Sequence, residues 1–249
     1  MGDGPKLLIA LHGFADRARM FAVLEKALGR QYRIVAIDLP FHGQTTWNEP
    51  TFDCDDLLAL IWQIAKAEQS ERFALMGFSF GARLVQGMLP ALAPQTDRLW
   101  LLSPDGVSTK GMQIAVRTPL WIRRGIFRLL KHPEWFLRLT RLARSMRIVP
   151  GFIAQFLHHN LSRADRRARV YACWMALNAF YARRRDTREL LRRYAIETDI
   201  VLGAHDQMIR AKAVYRIAAD LPNVRVETID AGHRIVGELL AAELAMREY

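Results

Sequence analysis

The sequence contains few cysteines and no long uncharged apolar segment. Its 249 residues include only Cys54 and Cys173, and no C-x-x-C pair is present, so we expect a reduced, intracellular chain. No run of about 18 uncharged apolar residues occurs, so we expect no membrane-spanning helix. We therefore expect a cytoplasmic protein, and a peripheral position at a membrane remains an open alternative.

Motifs for metals, nucleotides and nucleic acids are also missing. There is no H-E-x-x-H and no Cys/His cluster, and neither G-x-G-x-x-G nor G-x-x-x-x-G-K-[ST] occurs. We therefore expect no metal and no cofactor. The chain is basic, but no nucleic-acid-binding motif accompanies the charge, so nucleic acid is not an expected partner.

The net charge of +11 is distributed unevenly along the chain. Residues 105–195 hold 20 Lys+Arg and 5 Asp+Glu, a net charge of +15, whereas the remainder carries −4. This asymmetry predicts a basic insertion in a nearly neutral scaffold.

Short apolar runs alternate with helix-length segments along that scaffold. The runs are KLLIAL (6–11), RIVAID (33–38), RFALMG (72–77), RLWLLS (98–103), TDIVLG (198–203) and VRVETID (224–230). Most are almost continuously apolar, as strands covered on both faces should be, and the alternation predicts an α/β fold with a parallel sheet. We assign residues 1–104 and 196–249 to this core and residues 105–195 to a basic helical cap, or lid, over the strand ends.

A lone serine lies between two glycines in GFSFG, at residues 77–81. Ser79 could simply cap a helix, because a serine oxygen accepts hydrogen bonds from free helical N–H groups. G-x-S-x-G is also the nucleophile elbow, in which a strand turns sharply into a helix and exposes the serine hydroxyl. A predicted strand precedes Ser79 and a predicted helix follows it, which favours the nucleophile.

Partners for such a nucleophile are expected at other strand ends, because ligands of open α/β sheets bind there. Asp206 follows the fifth apolar run and His233 follows the sixth, which gives the chain order serine, acid, histidine. Asp105, after the fourth run, is a rival acid. The backbone N–H groups of Phe14, in LHGF, and of Phe80 are the candidate oxyanion donors.

Together these segments resemble the α/β-hydrolase fold: LHGF, DLPFHGQT, GFSFG, the Asp206 loop and AGH stand in the family order. The resemblance implies a Ser79–His233–Asp206 triad and six mainly parallel strands in order 2-1-3-4-5-6, without the two leading strands of the family. It further implies a cofactor-free serine hydrolase that cleaves a carboxylic ester or thioester. The alternatives are a C–C bond hydrolase or lyase with the same triad and a non-catalytic binding protein.

A weaker similarity points to the menaquinone-pathway SHCHC synthase group, which acts on an anionic substrate. It rests on LHGF and on the S-x-x-x-R spacing of Ser79 and Arg83. Arg83 could thus approach the pocket as a substrate-binding residue, or it could be a surface arginine. Trp121 and Trp174 in the cap are further candidates for substrate contact.

The basic cap has three interpretations. It could be a solvated face, it could hold a small-molecule or lipid-like substrate that is anionic, or it could contact an anionic membrane surface. The last interpretation rests on aromatic residues such as Trp121 and Trp135 interleaved with arginines. If the charge serves an anionic partner, neutralising four arginines together should weaken binding. The four are Arg123, Arg124, Arg128 and Arg138.

Three polar residues outside the proposed triad are expected to be structural. His12 and His42 should bond to backbone in their loops. Ser162, with Asp165, forms a capping-box pattern that predicts a helix start.

Overall fold

One parallel sheet of six strands forms the centre of the molecule. The computed structural model describes residues 1–105, 118–129, 133–146, 148–149 and 151–247. The strand order is β2-β1-β3-β4-β5-β6, with every neighbouring pair parallel. The strands are β1 (Lys6–Leu11), β2 (Tyr32–Ile37), β3 (Phe73–Phe78), β4 (Thr96–Leu102), β5 (Glu197–Gly203) and β6 (Val224–Ile229). The predicted sheet and its strand order are confirmed.

Helices cover both faces of this sheet. They are α1 (Glu25–Leu28), α2 (Cys54–Ala67), α3 (Phe80–Leu92), α4 (Leu120–Leu129), α5 (Glu134–Ser145), α6 (Gly151–Leu161), α7 (Ala164–Ala176), α8 (Arg184–Arg193), α9 (Ala211–Ala218) and α10 (Glu238–Ala245), with 3-10 helices at Ala18–Leu24 and Ala93–Gln95. One apolar cluster joins the sheet to α2, α3, α8 and α9, and a second joins it to α1 and α10. Burial on both faces explains the continuously apolar strands.

The connection from β4 to β5 contains α4 to α8, as the basic insertion predicts, while the cap boundaries at 105–195 stay a prediction. The capping-box prediction is wrong: α7 begins at Ala164, and its N-cap residue, Arg163, makes no side-chain cap. Asp165 instead binds the Arg163 side chain, and the Ser162 hydroxyl donates to the carbonyl of His159. Within the described residues, no helix has the length and apolar character needed to cross a membrane.

Arg123 departs from the expected basic face. It is fully buried, and its guanidinium donates to the carbonyl oxygens of Thr118 and Trp174 and to the amide oxygen of Asn178. The same group lies 5.8 Å from the centre of the Trp174 indole. Arg123 therefore stabilises the packing of α4 on α7, and its assignment to an exposed basic surface is wrong.

Candidate active site

Ser79 occupies a sharp turn between β3 and α3. Its backbone has φ 50° and ψ −112°, a conformation that costs roughly 1–3 kcal/mol for a residue other than glycine. Backbone hydrogen bonds hold it there: the Ser79 N–H donates to Leu102, and the Ser79 carbonyl accepts from Ala82 and Asp105, among others. The strain is thus supported by β4 on one side and by the first turn of α3 on the other.

Two glycines allow the loops around Ser79 to approach one another. A Cβ at Gly81 would collide with the carbonyl oxygen of Leu11, where β1 ends. A Cβ at Gly203 would collide with the carbonyl oxygen of Gly232, in the loop after β6. Because no side chain intervenes at either point, the ends of β1, β3, β5 and β6 meet at one edge of the sheet.

Three side chains form a hydrogen-bonded chain at this edge. The Nε2 atom of His233 lies 2.8 Å from the Ser79 Oγ, and its Nδ1 atom lies 2.8 Å from the Oδ2 of Asp206. A carboxylate only accepts hydrogen bonds, so Nδ1 carries the imidazole proton and Nε2 is free to accept one from Ser79. The structure thus brings together the three residues that the sequence assigned to the triad.

The environment of Asp206 favours its charged form. Burial is the largest single influence and would raise its pKa, but the hydrogen bond from His233 and the backbone N–H groups of Met208 and Ile209 lower it. Those N–H groups donate to Oδ1 at 2.7 and 3.1 Å, and the net effect is a lowered pKa. Asp206 is therefore a fixed negative charge behind the imidazole.

The rival acid, Asp105, has a different partner. Its two carboxylate oxygens accept from Nε and Nη2 of Arg83 at 3.1 and 3.2 Å. Arg83 is only 3% exposed, so its interpretation as a surface arginine is wrong. Its guanidinium is committed to Asp105, and the role of Arg83 as a substrate contact stays a prediction.

Two buried histidines shape the loop after β1. His42 donates from Nδ1 to the carbonyl of Pro40 and accepts the Ala15 N–H at Nε2, 3.0 Å away. His12 bonds in the same way to the carbonyl of Gly13 and the N–H of Leu39. Both histidines are structural, as expected. The Ala15 N–H is thereby excluded as an oxyanion donor.

The two predicted oxyanion donors belong to different elements. Phe14 follows Gly13 in the loop after β1, and Phe80 is the first residue of α3. An N–H in the first turn of a helix has no acceptor within that helix, which suits Phe80 to bind a negative oxygen. Phe14 and Phe80 stay predictions as donors.

The buried state of His42 predicts a dependence of stability on pH. Burial lowers the pKa of His42 from 6.5 to about 3. Between these values the unfolded chain binds a proton that the folded protein does not, so stability should be full above pH 6.5 and fall with decreasing pH. The expected slope from His42 is about 1.4 kcal/mol per pH unit. Denaturant unfolding at several pH values measures it. In His42→Gln the slope should be shallower, and an unchanged slope would contradict the assignment.

Asp16 and Arg234 are two site residues that the sequence did not reveal. They form an ion pair that joins the loop after β1 to the loop carrying His233. Burial raises the pKa of Asp16, although Arg234 and His233 act in the opposite direction. No sequence signal links them, because the two residues belong to loops at opposite ends of the chain.

The two tryptophans predicted to contact substrate lie in different environments. Trp121 is 73% exposed on α4, which argues against a role in an enclosed pocket. Trp174 is half-buried on α7 and packs against the apolar core beside Arg123. Neither position establishes a substrate contact. Among the described residues, no group of three or more His, Cys, Asp or Glu side chains could hold a metal ion.

Comparison with known proteins gives one family and several relatives. The family model described as alpha/beta hydrolase fold matches residues 6–238. A serine hydrolase-like protein of Danio rerio is 33% identical over 90 residues, and this match spans 35% of the chain and only 27% of that protein. The pimeloyl-[acyl-carrier protein] methyl ester esterase of Xanthomonas oryzae pv. oryzae is 26% identical, covering 93% of the chain and 88% of the relative.

Solved structures share the fold. MenH from S. aureus superposes with a TM-score of 0.65 at 22% identity, covering 98% of this chain and 92% of that one. At this identity the likeness concerns the arrangement of strands and helices and not the reaction.

Proposed function

The chain belongs to the α/β-hydrolase fold family, and on this premise we propose that it is a serine hydrolase that cleaves a carboxylic ester or thioester. The observation that carries the proposal is the hydrogen-bonded chain Ser79–His233–Asp206, with both contacts at 2.8 Å. The esterase of Xanthomonas oryzae, which aligns over most of the chain, supports an ester as substrate.

The proposed reaction has two steps. The Ser79 Oγ attacks the carbonyl carbon while His233 Nε2 takes its proton, and the C–O or C–S bond then breaks as His233 protonates the leaving alcohol or thiol. Water, activated by the same imidazole, hydrolyses the acyl-serine and releases the acid. Asp206 holds His233 in the Nδ1–H tautomer and stabilises the imidazolium of each step.

The tetrahedral intermediates need donors for their negative oxygen. We assign this role to the backbone N–H groups of Phe14 and Phe80, each expected to lower the barrier by about 3 kcal/mol. His42 supports the arrangement, because it binds the neighbouring Ala15 N–H and so fixes the turn.

A basic cleft that includes Asp16 supports an anionic substrate. It has a volume of about 620 Å³ and lies between the loops after β1 and β2 and the N-terminal part of α7. Four arginines line it, Arg17, Arg163, Arg166 and Arg169, against two aspartates, Asp16 and Asp165. None of the three triad residues lines this cleft; its link to them is Asp16, which interacts electrostatically with His233. Guanidinium groups suit carboxylates and phosphates.

A substrate panel on one preparation tests the proposal. It contains p-nitrophenyl esters, acyl-CoA thioesters and phospholipids, with acyl chains that end in either a carboxylate or a methyl group. We expect turnover of esters or thioesters and a lower KM for the carboxylate-ended chains. Negligible turnover with a Ser79 that still reacts with fluorophosphonate would favour a lyase. Absence of both turnover and labelling would favour a binding protein.

A further inference from the structure

Helix α5 presents an apolar stripe to solvent. Trp135, Leu139, Leu142 and Met146 recur at intervals of four, three and four residues, which places them on one side of a helix. Their side chains are 45%, 54%, 57% and 63% exposed. A surface helix of a globular protein normally turns such a stripe towards the core.

The stripe is exposed because α5 is docked by its opposite side. Leu137 and Thr140 are the buried residues of the helix, and α5 packs against α6. Among the described residues, eight of the fifteen large hydrophobic side chains that are exposed lie between positions 120 and 148. This concentration distinguishes the region from the scattered apolar residues of an ordinary surface and marks an interaction site.

Positive charge that has no ionic partner within the described part of the chain accompanies the stripe. Five exposed arginines lie on α4 and α5, and none forms an ion pair with the described residues: Arg124, Arg128, Arg138, Arg141 and Arg144. Glu134 is the one acidic residue in the sequence from 118 to 149. Arg138 lies beside the stripe, three residues after Trp135. The partner of this surface must therefore be negatively charged as well as apolar.

Helix α4 repeats the combination. Trp121, Arg124 and Arg128 are spaced by three and four residues, so they share one exposed side of the helix. The buried Arg123 fixes this orientation through its hydrogen bonds to Thr118 and Trp174. An exposed tryptophan with neighbouring arginines is typical of segments that lie at a membrane interface.

We propose that α4 and α5 dock on an anionic lipid surface. The stripe on α5 and Trp121 on α4 enter the boundary between headgroups and acyl chains, and Arg124, Arg128 and Arg138, which lie on the same sides of their helices, bind lipid phosphates. Arg141 and Arg144 face a cavity between α5 and α6 and take no part. A helix in this position needs an apolar side and a basic polar side, which is the pattern observed. The docking does not depend on the reaction at Ser79. Docking would explain why part of the basic insertion is exposed and apolar.

Co-sedimentation with vesicles tests the proposal on the full chain. The vesicles are phosphatidylcholine with or without phosphatidylglycerol. We expect the wild type to bind only when phosphatidylglycerol is present, and less as salt rises. Arg124→Gln with Arg138→Gln should weaken the partition coefficient by more than about tenfold, since each arginine contributes about fivefold. Leu139→Ser with Leu142→Ser should weaken it by about tenfold as well.

Matched variants elsewhere on the surface control for general effects. Arg184→Gln with Arg185→Gln removes two exposed arginines from α8, and Leu239→Ser removes a leucine that is 60% exposed on α10. Both should bind like the wild type, and circular dichroism should show the same fold for all variants.

Three results would overturn the proposal. The wild type could fail to bind the anionic vesicles, or the arginine and leucine variants of α4 and α5 could bind as well as the two controls. The wild type could also ignore vesicles and bind instead to an immobilised acidic protein through the same arginines, which would make the surface a protein-docking site.

Discussion

Replacement of Ser79 by alanine is expected to lower kcat by on the order of 10⁶-fold, with the fold retained. The hydroxyl is the proposed nucleophile, and the hydrogen bond that the structure gives it is the one to His233. The backbone bonds that hold the strained turn do not involve this oxygen, so alanine should adopt the same conformation. Initial rates on the best ester of the panel, together with the thermal midpoint of both proteins, measure the effect.

Ser103 offers a matched control. It also follows a strand, its φ is 40°, and it is fully buried, but its hydroxyl has no hydrogen-bond partner among the described residues. Ser103→Ala should keep kcat within a few-fold of the wild type. A similar loss in both variants would show that the effect of Ser79→Ala is structural, and the nucleophile assignment would fail.

Of the two candidate acids, Asp206 is expected to act in catalysis and Asp105 in stability. Asp206→Asn is expected to lower kcat about 10⁴-fold, because an amide facing His233 Nδ1 favours the wrong imidazole tautomer. Asp105→Asn should instead lower stability by about 3 kcal/mol, since it leaves the buried charge of Arg83 without its carboxylate. Its kcat, per folded molecule, should change by less than tenfold.

Denaturant unfolding and kinetics on the same preparations separate these outcomes. We expect opposite results for the two variants. Asp206→Asn should lose activity and keep its stability, whereas Asp105→Asn should lose stability and keep its activity. If Asp105→Asn abolishes turnover while Asp206→Asn retains it, the acid of the site has been misassigned.

The sheet could be predicted because each of its strands is marked by a short segment of the sequence. Each strand is a short apolar run, and the alternation with helices implies parallel pairing whatever the details of packing. Strand ends were predicted to within a residue or two, as for Tyr32–Ile37 against the run 33–38. The positions of Ser79, Asp206 and His233 follow from the same logic, because each lies within about four residues of the end of a strand.

Buried arginines could not be predicted in this way. Arg83 and Arg123 look like surface residues in the sequence, because an isolated arginine is rarely buried. Their burial depends on partners distant in sequence: Asp105 for the first, and Trp174 with Asn178 for the second. No periodicity encodes such a contact.

One helix start in the insertion was predicted wrongly for a related reason. The Ser162–Asp165 pattern permits a capping box, but Arg163 competes for the Asp165 carboxylate and the helix begins at Ala164. Several hydrogen-bond partners of Asp165 are compatible with the sequence, and the folded structure determines which of them it binds.

Mass spectrometry after reaction with a fluorophosphonate tests the central claim most directly. If Ser79 is the activated nucleophile, the wild type should gain one adduct, located on the peptide that contains Ser79. Ser103→Ala should be labelled like the wild type, and Ser79→Ala should remain unlabelled. An adduct on another residue, or equal labelling of Ser79→Ala, would contradict the account.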